Sequence, residues 1–153
     1  MYRRLMIVVD DDPVCRAAAT EGLDLAKALG AEVLFFHVAP DYVAPVIASD
    51  VMPLGALDPQ DHERHARERA TRILEEAASL ATAKGVAFRG LVGHGPEAGV
   101  SVAEAAQEHQ CDLIVVGSHG RTALQRLIHG SMAASLLPLA PVPLLVCKVR
   151  DAA

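Results

Sequence analysis

Short apolar runs alternate with helix-forming segments along nearly the whole chain, and this alternation constrains the fold more than any other feature. The five predicted strands are Arg4–Val9, Glu32–Val38, Ala87–Val92, Asp112–Val116 and Val142–Val149. Strands that alternate with helices pair in parallel through right-handed crossovers. The sequence therefore predicts an α/β fold in which residues 1–153 form a single domain, with one doubly wound parallel sheet and helices on both faces.

Two long helices are marked at both ends. Asp12-Pro13 and Asp58-Pro59 each place a capping carboxylate before a proline at the first helical position. Gly30 and Gly85 follow the last helical residues, where glycine commonly ends a helix. Two shorter helices are predicted at Val102–Glu108 and Ser131–Leu137.

The segment Ala39–Leu57 interrupts this compact pattern. It holds three prolines and several apolar side chains between the second strand and the second long helix. Connections of this length are uncommon in small domains and are often binding loops or lids. Both a ligand lid and a variable crossover packed on the surface fit the sequence.

Charge, hydropathy and cysteine usage limit the partners and the compartment. The net charge is −5 and no basic run occurs, so the chain lacks the clustered cations that bind nucleic acid. The apolar run Leu5–Val9 is too short for a signal peptide or a membrane span. Cys15, Cys111 and Cys147 are odd in number and widely spaced, which favours reduced, packed thiols. A cytoplasmic location without membrane contact is expected.

The histidines offer little evidence of a metal site. His62 and His65 share a helix face, but Glu63 and Arg64 between them favour an exposed, charged turn. His37 ends a buried strand, where a hydrogen-bonded structural role is expected. The sequence shows no nucleophile, base and orienting group at a spacing typical of a catalytic site, so no catalytic residues are predicted.

A glycine-rich segment carries the clearest functional signal. Gly117-Ser118-His119-Gly120-Arg121 follows the fourth strand, and Gly130-Ser131 opens the last helix. Unpaired N–H groups and the helix dipole attract anions at such a position, and glycine lets the backbone approach phosphate oxygens. The two common phosphate motifs, GxxxxGK[ST] and GxGxxG, are absent. Phosphate binding is favoured over a simple turn and helix cap.

The spacing G-x2-G-x9-G-S resembles the ATP-binding signature of universal stress proteins. Gly117, Gly120, Gly130 and Ser131 match it in full, and the flanking IVVGSHGR and PVPLLV are also similar to that family. The resemblance implies a sheet of order 3-2-1-4-5. In that order strands one and four are neighbours at the topological switch point, where open α/β sheets bind ligands.

The resemblance also implies a site for ATP, or for ADP or AMP. Asp10 would lie near the ribose and adenine, and Val9 and Val38 would line the base. Gly117 and Gly120 would approach the ribose and phosphates. The phosphate chain would be held by Gly130, Ser131 and the backbone of Met132 and Ala133. The connecting loop contains two further implied contacts, His119 and Arg121.

The acidic run Asp10-Asp11-Asp12 departs from the Asp-Gly-Ser often found in the family. A carboxylate ~4 Å from a phosphate charge is repelled by ~1 kcal/mol in water and ~4 kcal/mol at an effective dielectric of 20. Magnesium takes carboxylate and phosphate oxygens together. Asp11 and Asp12 are therefore candidate Mg²⁺ ligands, unless Asp12 is occupied as a helix cap.

The function that the resemblance implies is an ATP-binding regulatory or stress-response module with slow hydrolysis or none. The family also pairs subunits through its last strand, which makes Val142–Val149 the candidate edge of a homodimer. Two alternatives remain open. One is a slow ATPase or autophosphorylating enzyme, and the other is a dimeric interaction protein that binds AMP or no nucleotide.

Overall fold

Five parallel strands form one sheet in the order β3-β2-β1-β4-β5, as expected. The structure is a computed structural model that describes residues 1–41, 58–118 and 132–148. Its strands are β1 (Arg4–Val8), β2 (Glu32–Val38), β3 (Phe88–Gly93), β4 (Leu113–Ser118) and β5 (Leu144–Lys148). The central strand β1 pairs with β2 on one side and with β4 on the other.

The helices are α1 (Pro13–Leu29), α2 (Pro59–Lys84), α3 (Ala98–Glu108) and α4 (Met132–Leu136). The predicted end signals of the two long helices are confirmed. The Asp12 carboxylate accepts a hydrogen bond from the N–H of Val14 at 2.7 Å, and Asp58 caps α2 in the same way. Gly30 and Gly85 end the helices with φ of 65° and 70°, a left-handed conformation that glycine adopts without steric cost.

The strands place alternate side chains in two apolar layers. Leu5 and Ile7 of β1 face α1 and α2, whereas Met6 and Val8 face α3 and α4. A strand that is buried on both faces reads as a continuous apolar run, which is why β1 shows no alternation in the sequence. The carboxyl ends of all five strands therefore emerge at one edge of a three-layer domain.

Two predicted boundaries are wrong in ways that affect the site. Gly117 and Ser118 belong to β4 rather than to the loop after it, because β5 extends the ladder and pairs them with Cys147 and Lys148. Helix α3 begins at Ala98 rather than at Val102. The other elements agree with the predicted ones to within the usual fraying at their ends.

Candidate functional site

A cleft of about 480 Å³ opens at the carboxyl ends of β1 and β2. Asp10, which follows β1, and Val38, which ends β2, form part of its wall. The wall is completed by the segment that leads into α3, including Pro96, and by Arg69 of α2. Ligands of open α/β sheets bind at this edge, beside the point where the chain reverses its direction of winding.

His37 joins the ends of β1 and β2 beneath this cleft. Its side chain is buried, and Nδ1 lies 3.0 Å from the carbonyl oxygen of Val9. Because a carbonyl only accepts, Nδ1 must carry the proton in this contact. The same nitrogen is 4.0 Å from Oδ1 of Asp10. The expected hydrogen-bonded structural role of His37 is confirmed.

Two arginines of α2 meet the acidic run after β1. Nη2 of Arg69 is 3.1 Å from Oδ1 of Asp10, and its Nε is 3.7 Å from Oδ2 of Asp11. Nη2 of Arg72 is 3.3 Å from the same Asp11 oxygen. Neither arginine was predicted at the site. Their spacing of three residues, which puts both on one helix face, was the available signal.

The predicted magnesium ligands are engaged by other groups. Asp12 accepts from the α1 backbone, and Asp11 faces the guanidinium groups of Arg69 and Arg72. In residues 1–41, 58–118 and 132–148, no group of three or more His, Cys, Asp or Glu side chains is placed to hold a metal ion. Because Mg²⁺ commonly takes only one or two carboxylates together with phosphate oxygens and water, Asp11 and Asp12 as ligands that share the ion with a nucleotide stay a prediction.

Gly117 packs directly against the first turn of α1. A Cβ built at this position would lie 2.7 Å from Cγ1 of Val14 and 2.8 Å from its backbone oxygen. A helix backbone cannot move aside as easily as the end of a flexible side chain. The absence of a side chain at Gly117 therefore lets α1 begin close to the carboxyl end of β4, next to Asp10.

The remaining predicted contacts lie in different surroundings. The Val9 side chain is packed in the core beneath α1 and α2, whereas Val38 is half-buried in the wall of the cleft. Met132 and Ala133 are half-buried in the first turn of α4 and pack against the core on the α3 side. Five of the predicted contacts lie outside the described residues: His119, Gly120, Arg121, Gly130 and Ser131.

A second cleft, of about 560 Å³, lies between α2 and the carboxyl end of β3. It shares Ala39, Pro40 and Asp41 with the first cleft and includes the half-buried His62, whereas His65 is exposed. Most of the segment Ala39–Leu57, which joins Asp41 to α2, lies outside the described residues. The described walls of the two clefts contain no residue of β4, so neither cleft by itself combines the two halves of the predicted site.

The three cysteines have the packed, reduced character that the sequence predicts. All are free thiols, and Cys111 and Cys147 are buried. Burial raises the pKa of Cys15 to about 11, and the charges of nearby Asp10 and Asp12 act in the same direction. Burial likewise raises the pKa of Cys111 and of Cys147 to about 11. At neutral pH these thiols remain protonated and are poor nucleophiles.

The sequence similarity to a known family extends over almost the whole chain. A model of the universal stress protein family matches residues 1–148. The chain belongs to the universal stress protein family. Among curated relatives, it is similar to universal stress protein MJ0531 of Methanocaldococcus jannaschii, with 28% identity over 97% of this chain and 83% of the relative.

Solved structures of other universal stress proteins share the fold. A family member from Burkholderia pseudomallei has a TM-score of 0.75 at 24% identity, covering 95% of this chain and 96% of that one. A universal stress protein in complex with cAMP has a TM-score of 0.68 at 18% identity, covering 95% and 97%. A family protein from Arabidopsis thaliana with AMP bound has a TM-score of 0.68 at 20% identity, covering 98% and 93%.

Helix α2 of this universal stress protein carries many exposed charged residues, among them Glu63, Arg64 and Arg67. Within the described part of the chain, none of the helices is long and apolar enough to cross a membrane.

Proposed function

We propose that this universal stress protein is a binding module for an adenine nucleotide, with ATP as the first candidate. The observation that carries the proposal is that β1 and β4 are adjacent parallel strands, with Asp10 after the carboxyl end of β1 and Gly117 near that of β4, and that Asp10 lines a cleft of about 480 Å³. A site at this position takes residues from both sides of the topological switch point between β1 and β4, as nucleotide sites of open α/β sheets do.

Two relatives support the class of ligand. One solved universal stress protein is in complex with cAMP, and another has AMP bound. Both ligands contain adenine, ribose and phosphate, and they differ in the number and geometry of their phosphate charges. We propose that Asp10 and Val38 contact the nucleoside, with Val9 as a backbone support beneath them.

The phosphates are assigned to the glycine motif. We propose that Gly117 and Gly120 allow close approach of the backbone, and that Gly130 and Ser131 donate to the phosphate chain together with the N–H groups of Met132 and Ala133. His119 and Arg121 would lie in the connecting loop. Mg²⁺ would enter with the phosphates, and Asp11 and Asp12 are the carboxylates proposed to share it, in exchange for part of their contacts with the arginines and the α1 backbone.

Slow hydrolysis or none fits the described groups better than rapid turnover. Phosphoryl transfer needs a positioned nucleophile and metal as well as a bound phosphate chain. Among the described residues, the three thiols have pKa values raised to about 11 and are therefore poor nucleophiles at neutral pH. We propose that nucleotide occupancy, rather than its turnover, is the signal passed to partners in a stress response.

The direct test is to denature freshly purified protein and identify the released nucleotide by mass spectrometry. We expect near-stoichiometric ATP, because a slow enzyme would not have consumed it. Recovery of ADP or AMP would support the hydrolytic alternative or a different natural ligand. Empty protein that shows no heat of binding with Mg-ATP, ADP, AMP or cAMP would contradict the proposal and favour the interaction-protein alternative.

We also propose that the protein forms a homodimer along β5, within the predicted segment Val142–Val149. β5 is the last strand of the sheet, and Leu145 on it is 36% exposed. An apolar edge strand readily pairs with a second copy. Leu145→Asp is expected to convert dimer to monomer in light scattering. The control is Val92→Asp, at a similarly exposed position on the opposite edge strand β3, which should leave the dimer intact. A wild-type protein that is monomeric in light scattering would contradict the proposal.

A further inference from the structure

We propose that Arg69 and Arg72 determine how many phosphate charges the site accepts. They would do so by neutralising Asp10 and Asp11 at the end of β1. This inference rests on the proposed nucleotide site and names a part of it that the glycine motif does not supply. Arg69 and Arg72 act here through the two carboxylates, as positioning and specificity-determining residues.

The arginines hold the carboxylates as a connected group. Arg69 reaches both acids, at 3.1 Å from Asp10 and 3.7 Å from Asp11, and Arg72 adds a second contact to Asp11 at 3.3 Å. A planar guanidinium presents several N–H donors in a fixed arrangement, so one arginine can orient two neighbouring carboxylates. The Asp10 side chain is thereby fixed at the wall of the cleft.

The charges around the cleft explain why such neutralisation matters. Asp10 and Asp41 line it, and Asp11 follows directly, whereas Arg69 is the one cation among the residues described in its wall. Without the arginines, a phosphate entering from this side would meet an uncompensated acidic edge. The repulsion would increase with each additional phosphate charge, because Coulomb energy is proportional to the product of the charges.

Folding alone does not account for this arrangement. The ion-paired side chains are 45–60% exposed, and surface pairs of this kind contribute only ~0–1 kcal/mol to stability. Helix α2 is held to the sheet by buried apolar residues, among them Ile73 and Ala77. Replacing the arginines should therefore change ligand preference far more than it changes the folded structure.

The test compares ligands that carry an increasing number of phosphate groups, rather than a single ligand. Binding of adenosine, AMP, ADP and Mg-ATP is measured by titration calorimetry for the wild type and for R69M/R72M. A matched control, R64M/R89M, removes the same net charge at exposed positions outside both clefts, on α2 and β3. Melting temperatures confirm that all variants are folded.

We expect R69M/R72M to bind Mg-ATP about tenfold more weakly or worse, with a smaller loss for AMP and the smallest loss for adenosine, which carries no phosphate charge. R69K/R72K, which keeps the charge, should recover most of the ATP affinity, and added salt should reduce the difference between the variants. The control should match the wild type.

Three outcomes would overturn the inference. One is an equal loss for adenosine and ATP, which would indicate a general structural effect. Another is an equal loss in the R64M/R89M control, which would indicate long-range net charge alone. A third is unchanged ATP affinity in R69M/R72M. A wild type that binds none of the four ligands would instead refute the proposed function itself, and the inference with it.

Discussion

Gly117→Ala is expected to lower the free energy of unfolding by about 1–3 kcal/mol, the usual effect of overpacking. The new Cβ would lie 2.7 Å from Cγ1 of Val14 and 2.8 Å from its backbone oxygen. Relief requires the first turn of α1 to move away from β4. Because Asp12 caps that turn, the shift would also disturb the acidic run beside the cleft, so affinity at the proposed nucleotide site should fall together with stability.

Gly90→Ala is the matched control for this change. Gly90 is also a strand glycine, but a Cβ there would meet only Leu74, at 3.4 Å or more, which is ordinary van der Waals contact. We expect it to be neutral or to stabilise by up to about 1 kcal/mol, since alanine restricts the unfolded chain. The measurement is urea unfolding of both variants. Equal stabilities would show that α1 adapts to a side chain at Gly117.

Phe35→Ala is expected to lower the free energy of unfolding by about 3–5 kcal/mol, the range for removing a buried aromatic ring. Phe35 lies in β2, is 1% exposed, and belongs to the apolar layer between the sheet and helices α1 and α2. Its loss would leave a cavity below the carboxyl edge that carries His37. Thermal unfolding should show the largest decrease among the stability variants described here.

Phe88→Ala tests whether burial causes this effect. The Phe88 ring is 6.0 Å from that of Phe35, centroid to centroid, but its residue is 38% exposed. Removing it takes away part of the aromatic contact without opening a closed cavity, so we expect a loss of about 1 kcal/mol. If the two alanine variants unfolded at the same denaturant concentration, the assigned core position of Phe35 would be wrong.

The sequence predicted the elements well where local chemistry defines them. Asp12-Pro13 and Asp58-Pro59 correctly marked the starts of α1 and α2, because a cap and a proline act through their own backbone neighbours. The strand order followed from the family resemblance and not from the pattern of residues. The end of β4 was missed because pairing with β5, far along the chain, extends it through Ser118.

The site was predictable only in part. The position of Asp10 after the central strand was visible in the sequence, whereas its pairing with Arg69 was not. The sequence separates these two residues by α1, β2 and the segment before α2, so their contact depends on how α2 crosses the sheet edge. For the same reason, the acidic run was interpreted as uncompensated, although the structure surrounds part of it with guanidinium groups.

The strand order also has a consequence for biosynthesis. β3, β2 and β1 lie side by side and all come from residues 4–93, so a growing polypeptide can pair them before β4 has been translated. The N-terminal part of a chain is the first to be synthesised, at about 5–20 residues per second. The half-sheet would still expose the face that α3 and α4 later cover, including Phe36. Because Gly117 arrives with β4, the proposed nucleotide ligand would stabilise only nearly finished chains and would act on the last step of maturation rather than on the first.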